Sequence, residues 1–345
     1  MPFPSLSSPL PPEVILVTAE SASTGRQESA FCFADDPDAL TRTTNLLVFG
    51  DGKGRAGGAE RGGGNDGRVP LTGKAVLAIA KKHGLPAAYS SPPSSSSPSS
   101  PSASSGPSSP SSPGAAATGT ASNLLIFLSG NGETTPSNNF LSLGKKLSLP
   151  QTAVLSLLGP AVLPFDLGSA WFQDTDYDTG SPLPWSSPLK RSSLAAAVAS
   201  LTSLLSSLSS LLPLENVFLF GFSTGATVAM EAAKITRLLG GAACVCGGVA
   251  PKREEGGKGA KAGEEGGGGG EGAPVLMITG GADELFPPCA ASSARDAYGA
   301  GSVKLLTVPG KPHGMIGTER ESLAFCSWIA ERLARRMPAL EKQCT

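Results

Sequence analysis

Six short apolar runs punctuate the chain: NLLIFL at 123–128, TAVLSL at 152–157, VFLF at 217–220, Ala242 to Val249, PVLMIT at 274–279 and VKLLTV at 303–308. Each is apolar on consecutive rather than alternate positions. That pattern suits strands buried on both faces. Between the runs lie helical stretches. Asn139 to Leu147 reads as a helix start, and Ser192 to Leu211 repeats leucine at helical spacing. Gly225 to Leu239 carries small residues, Ala290 to Tyr298 is a short helix, and Glu319 to Arg336 is amphipathic and stops before Pro338. The alternation predicts an α/β fold, a mostly parallel sheet covered by helices on both faces. Cys244 and Cys246 alternate inside one apolar run, which predicts two residues of a single buried strand with the same facing.

Three tracts break this pattern. Leu85 to Ser122 is mostly Ser, Pro, Ala and Gly, and cannot bury enough apolar surface to offset the entropy of ordering it. Lys252 to Gly272 is glycine and charge, and Gly52 to Arg68 is a milder case. The expected organisation is therefore a partly ordered N-terminal segment, 1–84, and a disordered linker, 85–122. An α/β domain, 123–337, follows with a low-complexity insert at 252–272, and the tail is 338–345. TTNLLVFGDGKG at Thr43 to Gly54 resembles ASNLLIFLSGNG at Ala121 to Gly132, and each precedes a helical run and Leu-Pro. A partial duplication and a chance likeness of two strand-turn-helix units both account for it.

Composition narrows the function. The 345 residues include 44 Gly and 30 Pro but only three Trp and three Tyr, and 40% are apolar. A net charge of −1 and a pI near 6.2 offer no basic stripe for nucleic acid. The six cysteines form no CxxC pair and no disulfide ladder, which favours a reduced, cytoplasmic setting. The opening MPFPSLSSPLPPEVILVTAE lacks a basic region before an apolar core, unlike a secretory signal, and a plastid address stays open. No apolar run reaches transmembrane length.

The chemistry centres on GFSTGATVAMEAA at 221–233. Ser223 follows a strand and precedes a helix, the setting of a nucleophile elbow. Gly221 and Gly225 remove side chains that would clash in so sharp a turn. A serine hydroxyl needs a base, and the chain has only two histidines. His83 ends a basic helical stretch and reads as a solvated helix terminus. His313, in VPGKPHGM, follows the last strand, at the edge where a parallel sheet presents residues. The acid belongs between nucleophile and base: PVLMITGGADELFP places Asp283 after a strand, with Glu284 as the alternative. An oxyanion hole needs two backbone N–H groups. Thr224 offers one, and the glycine-bearing turn SGNGE, with Asn131 between Gly130 and Gly132, offers the other. Asp174, Asp176 and Asp178 alternate without completing a calcium loop and read as a solvated loop.

With these motifs the chain resembles the phospholipase/carboxylesterase family of α/β-hydrolases, the family of acyl-protein thioesterases and small carboxylesterases. NLLIFLSGNGE, LGKKLSLPQTAVLSLLGP, DLGSAWFQDTDYDTG, GFSTGATVAMEAA, PVLMITGGADELFP and VPGKPHGM carry the resemblance, from about Asn123 to Leu333. Three positions depart from it. Ser129 stands where the family usually has His, Thr224 where it has Gln, and Ala226 where it has Gly. The resemblance implies a serine hydrolase of acyl esters or thioesters that works through Ser223, Asp283 and His313, with Asn131 and Thr224 as oxyanion donors and no metal or cofactor. It implies an acyl substrate, a small ester, a lysolipid or an acylated protein. Leu157, Leu158, Trp171, Phe172, Leu285 and Phe286 are candidates to hold an acyl chain. The alternative is a catalytically weak α/β-hydrolase fold used for binding or scaffolding.

Overall fold

The computed structural model of the protein describes residues 13–20, 27–34, 71–93, 121–249 and 272–333. The copy-like segment at 43–54 and nearly all of the glycine-rich tract lie outside these residues. Strands β1 (Glu13–Glu20) and β2 (Gln27–Ala34) pair antiparallel. Helix α1 (Gly73–Lys82) leads into β3 (Ala87–Ser90), followed by β4 (Asn123–Leu128), α2 (Asn139–Leu147) and β5 (Thr152–Leu157). A two-residue hairpin, β6 (Ala161–Val162) and β7 (Ser169–Ala170), precedes the long helix α3 (Pro188–Leu208). Then come β8 (Val217–Phe222), α4 (Thr224–Ile235), β9 (Gly241–Val245), β10 (Val275–Gly280), α5 (Pro288–Tyr298), β11 (Val303–Val308) and α6 (Glu319–Ala330).

Seven strands form one sheet in the order β11-β10-β9-β8-β4-β5-β3. All neighbours run parallel except β3, which pairs antiparallel with β5 at the edge. This mostly parallel sheet with flanking helices is consistent with the α/β-hydrolase fold. Every residue of β4, β5, β9 and β10 is buried, as continuous apolar runs require. Two cores result. One lies under α1, α3, α4 and α5, and the other under α2 and α6. Helix α3 turns Leu194, Ala197, Val198, Leu201, Leu204, Leu205 and Leu208 inward at helical spacing and leaves its serines mostly outward. Helix α4 approaches the sheet on small residues, Ala226, Ala229, Ala232 and Ala233, all fully buried. Within the described residues no helix is long and apolar enough to cross a membrane.

The structure departs from the sequence reading at three places. Residues 87–90, assigned from composition to the linker, form β3, and Leu85 just before them is buried. Cys244 and Cys246 do not share a face. Strand β9 ends at Val245, and Cys246 turns the chain with φ +52°, so Cys244 joins one core and Cys246 the other. His83 is not simply solvated: it caps α1, and its Nε2 lies 2.8 Å from Ser207 Oγ of α3.

Candidate active site

The site gathers at the carboxyl ends of β8, β9, β10 and β11, where parallel strands deliver their following loops to one edge. Ser223 adopts φ +55°, ψ −120°, a conformation that costs on the order of 1–3 kcal/mol in a non-glycine residue. The turn is held by its own backbone: Ser223 N donates to Val245 O at 2.9 Å, and Ser223 O accepts from Ala226 N and Thr227 N. Although Ser223 stands at the N-cap of α4, its hydroxyl makes no capping bond. It points instead to His313 Nε2, 3.0 Å away. Glycine is required at two neighbours. A Cβ on Gly221 would lie 2.5 Å from Ala226 Cα, and one on Gly225 would lie 2.3 Å from Ser129 O.

Asp283 follows β10 and is 2% exposed. Its Oδ1 accepts from Leu285 N at 3.0 Å and Phe286 N at 2.8 Å, which fixes the carboxylate in place. Both carboxylate oxygens lie 3.0 Å from His313 Nδ1. An ionised carboxylate only accepts, so Nδ1 carries the proton and Nε2 is left to accept from Ser223. Glu284, the alternative acid, is exposed. The structure thus brings Ser223, His313 and Asp283 into one hydrogen-bonded chain, and leaves Glu284 and His83 out of it.

The SGNGE loop lies beside Ser223. Among the described residues neither the Asn131 nor the Thr224 backbone N–H has a hydrogen-bond partner, so both are available to a developing anion. Thr224 also begins α4, whose N-terminal dipole favours negative charge. The two residues are joined directly, for Thr224 Oγ1 donates to Asn131 Oδ1 at 2.7 Å. Asn131 Nδ2 in turn reaches Asp174 Oδ1 and Oδ2 at 3.1 and 3.2 Å. Hairpin β6–β7 braces the loop from the other side: Gly132 N donates to Ser169 O, and Ser169 N to Glu133 O, both at 2.9 Å. The left-handed turn falls at Gly132, φ +96°. Gly130 serves close approach, since a Cβ there would meet the Phe222 ring at 3.0 Å. Ser129, fully buried, accepts from Trp171 Nε1 through its carbonyl, and its hydroxyl has no partner among the described residues.

Two participants have no clear sequence signal. Asp174, read as part of a solvated loop, holds Asn131, while Asp176 caps its own turn through Asp178 N and Thr179 N. Cys246 stands beside Asp283 and His313: one donor atom from each of the three lies within 4.8 Å of the others, a set that could hold a metal ion. Burial first, then the neighbouring Asp283 as hydrogen-bond partner and charge, pushes the Cys246 thiol up to about 11, against the opposing pull of Gly314 O and Lys311. The thiol donates to Gly314 O at 3.3 Å. Of the residues proposed to hold an acyl chain, Leu157, Trp171, Phe172 and Phe286 belong to the core, Leu158 is also buried, and Leu285 is 71% exposed.

A sequence profile of the phospholipase/carboxylesterase family matches residues 115–299, more than half of the chain. An uncharacterized hydrolase of Mycosarcoma maydis is 34% identical over 118 residues, which cover 34% of this chain and 43% of that protein. The chain therefore aligns with less than half the length of that relative. Among solved structures, the Bacillus cereus carboxylesterase shares 14% identity over 74% of this chain and 99% of its own, with a TM-score of 0.49. Zea mays acyl-protein thioesterase 2 shares 19% over 63% of this chain and 96% of its own, with a TM-score of 0.45.

Proposed function

The chain belongs to the phospholipase/carboxylesterase family, and from that premise we propose that it is a serine hydrolase of acyl esters or thioesters. One observation carries the reading: the unbroken chain Ser223 Oγ, His313 Nε2, His313 Nδ1, Asp283, with each link at 3.0 Å. Ser223 Oγ attacks the acyl carbon while His313 Nε2 takes its proton. The oxyanion is received by the Asn131 and Thr224 N–H groups. The imidazolium, steadied by Asp283, then protonates the departing alkoxide or thiolate. Water, deprotonated by His313, attacks the acyl-enzyme, releases the carboxylic acid and returns the proton to Ser223. The substrate class is an acyl ester or thioester on a small molecule, a lysolipid or a protein.

A second reading rests on the Cys246, Asp283 and His313 cluster. A cation held there, or a competing thiol contact, would draw the imidazole away from Ser223. The fold would then serve as a catalytically weak binding or scaffold protein. Against it, Cys246 with its raised pKa is a neutral thiol near pH 7 and a poor metal ligand. A fluorophosphonate probe separates the two. The hydrolase labels at Ser223, and Ser223→Ala and His313→Ala abolish labelling and cost turnover by factors on the order of 10⁶. A folded wild-type protein inert to the probe and to a panel of oxygen and thiol esters establishes the second reading instead.

A further inference from the structure

The loop that presents His313 is held by a buried ion pair. Among the described residues the main chain of Pro312 and His313 makes no hydrogen bond. The position of the imidazole therefore depends on what flanks it. On one side Lys311 N donates to Val308 O, and Lys311 O accepts from Ala282 N of the loop that carries Asp283. On the other, Gly314 O accepts from Cys246 Sγ. The Lys311 side chain spans the two sides, with Nζ donating to Met315 O. The five-residue arc from Lys311 to Met315 is thus closed by a chord, with His313 at its middle.

Glu321, one turn into α6, anchors the chord. It is fully buried, and Lys311 is nearly so. Oε1 lies 2.7 Å from Lys311 Nζ at angles poor for a hydrogen bond, so the contact is held by charge. Oε2 accepts from Gly317 N, Thr318 N and Thr318 Oγ1 at 3.1, 2.9 and 2.8 Å. Thr318 Oγ1 accepts from Glu321 N in return, which completes a capping box. Capping occupies one oxygen only. The second carries a buried charge that capping does not need, and a buried pair costs desolvation that burial of apolar residues would avoid.

We propose that Lys311 and Glu321 are positioning residues for His313: they fix the arc so that Nε2 meets Ser223 Oγ and Nδ1 meets Asp283. This rests on the reading of His313 as the base. Lys311→Met removes the chord and leaves the Oε2 cap of α6 in place. Its kcat on a short p-nitrophenyl ester is expected to fall by about 10- to 100-fold, the scale of a misplacement near 1 Å, with KM within about twofold of wild type. Rates are expressed per site titrated with fluorophosphonate, which removes any contribution from misfolded protein. Glu321→Gln should lose a similar factor, and the double variant no more than either single one, because the pair acts as a unit. The double variant buries no unpaired charge, so it gives the same comparison if a single variant fails to fold. Folded variants with wild-type kcat per titrated site, or with the loss confined to KM, overturn the proposal. Such a result beside an inactive His313→Ala sinks the positioning role alone, whereas a fully active His313→Ala removes the base and the positioning role together.

Discussion

Gly225→Ala adds one carbon at the narrowest point between strand and helix. The new Cβ would stand 2.3 Å from Ser129 O and 2.5 Å from Leu128 O, where ordinary contact begins at 3.4 Å. Both obstacles are main-chain carbonyls, so no rotamer relieves them, and the end of β4 and the start of α4 must separate by about 1 Å. Overpacking of this kind costs about 1–3 kcal/mol of stability. The larger effect falls on catalysis. The end of β4 leads into the Asn131 loop and the start of α4 carries Thr224, so the shift parts the two proposed oxyanion donors and strains the 2.7 Å bond from Thr224 Oγ1 to Asn131 Oδ1. Loss of one donor corresponds to a fall of about 10²–10³ in kcat. The expected result is that fall with KM changed only a few-fold, because the donors act on charge that develops in the transition state. Steady-state kinetics on p-nitrophenyl butyrate, with circular dichroism to verify the fold, measures it. A folded Gly225→Ala protein within threefold of wild-type kcat would refute this placement of the hole.

Three further outcomes can be checked. Asn131→Ala keeps its backbone donor but loses the bonds to Thr224 and Asp174, so kcat should fall by up to ~10-fold, the worth of one net hydrogen bond of about 0.5–1.5 kcal/mol; a thousandfold loss would mean that the side chain itself meets the oxyanion. Ser129→Ala removes a buried hydroxyl that has no partner among the described residues and should raise stability by about 1 kcal/mol in urea unfolding, whereas a drop would show that the hydroxyl is satisfied. Iodoacetamide at neutral pH should modify exposed Cys289 and spare Cys246 in peptide mapping, with Cys246 reacting only as pH nears about 11. Since folding raises that thiol's pKa, the stability it contributes is complete below the ordinary thiol range and is lost as pH climbs toward the raised value.

Much of the architecture is legible because it is written in consecutive residues. NLLIFL and TAVLSL occupy strands with the bounds that their apolar runs suggest, since a strand buried on both faces needs no polar position. The serine elbow is legible for a similar reason: strand, Gly221, Ser223, Gly225 and helix are contiguous. What is not legible depends on partners distant in sequence. AAYS looks like linker, and only its pairing with β5 makes it a strand. The Ala242 to Val249 run hides the left-handed turn at Cys246, because an apolar side chain is equally at home on either side of the sheet. Asp174 is one of three alternating aspartates, and nothing local distinguishes the one that reaches Asn131 across 43 positions. Apolar residues near the site are legible as apolar, but nothing local shows that Leu157, Trp171 and Phe172 turn into the core.

The antiparallel edge strand has a practical consequence for anyone shortening this protein. The family match begins at residue 115, an inviting place to cut. A protein started there would lack α1 and β3, although β3 covers the flank of β5 along Val154–Leu157 and Leu158 N donates to Pro86 O. Removing them would leave β5 with unpaired backbone groups along an apolar strand, a template for pairing with another chain. It would also uncover the core side chains that Val76, Ala80 and Leu85 now shield. A trimmed protein that precipitates would then be reporting a lost sheet margin rather than a fault in the Ser223 site, and the workable start lies ahead of Thr72, the cap of α1.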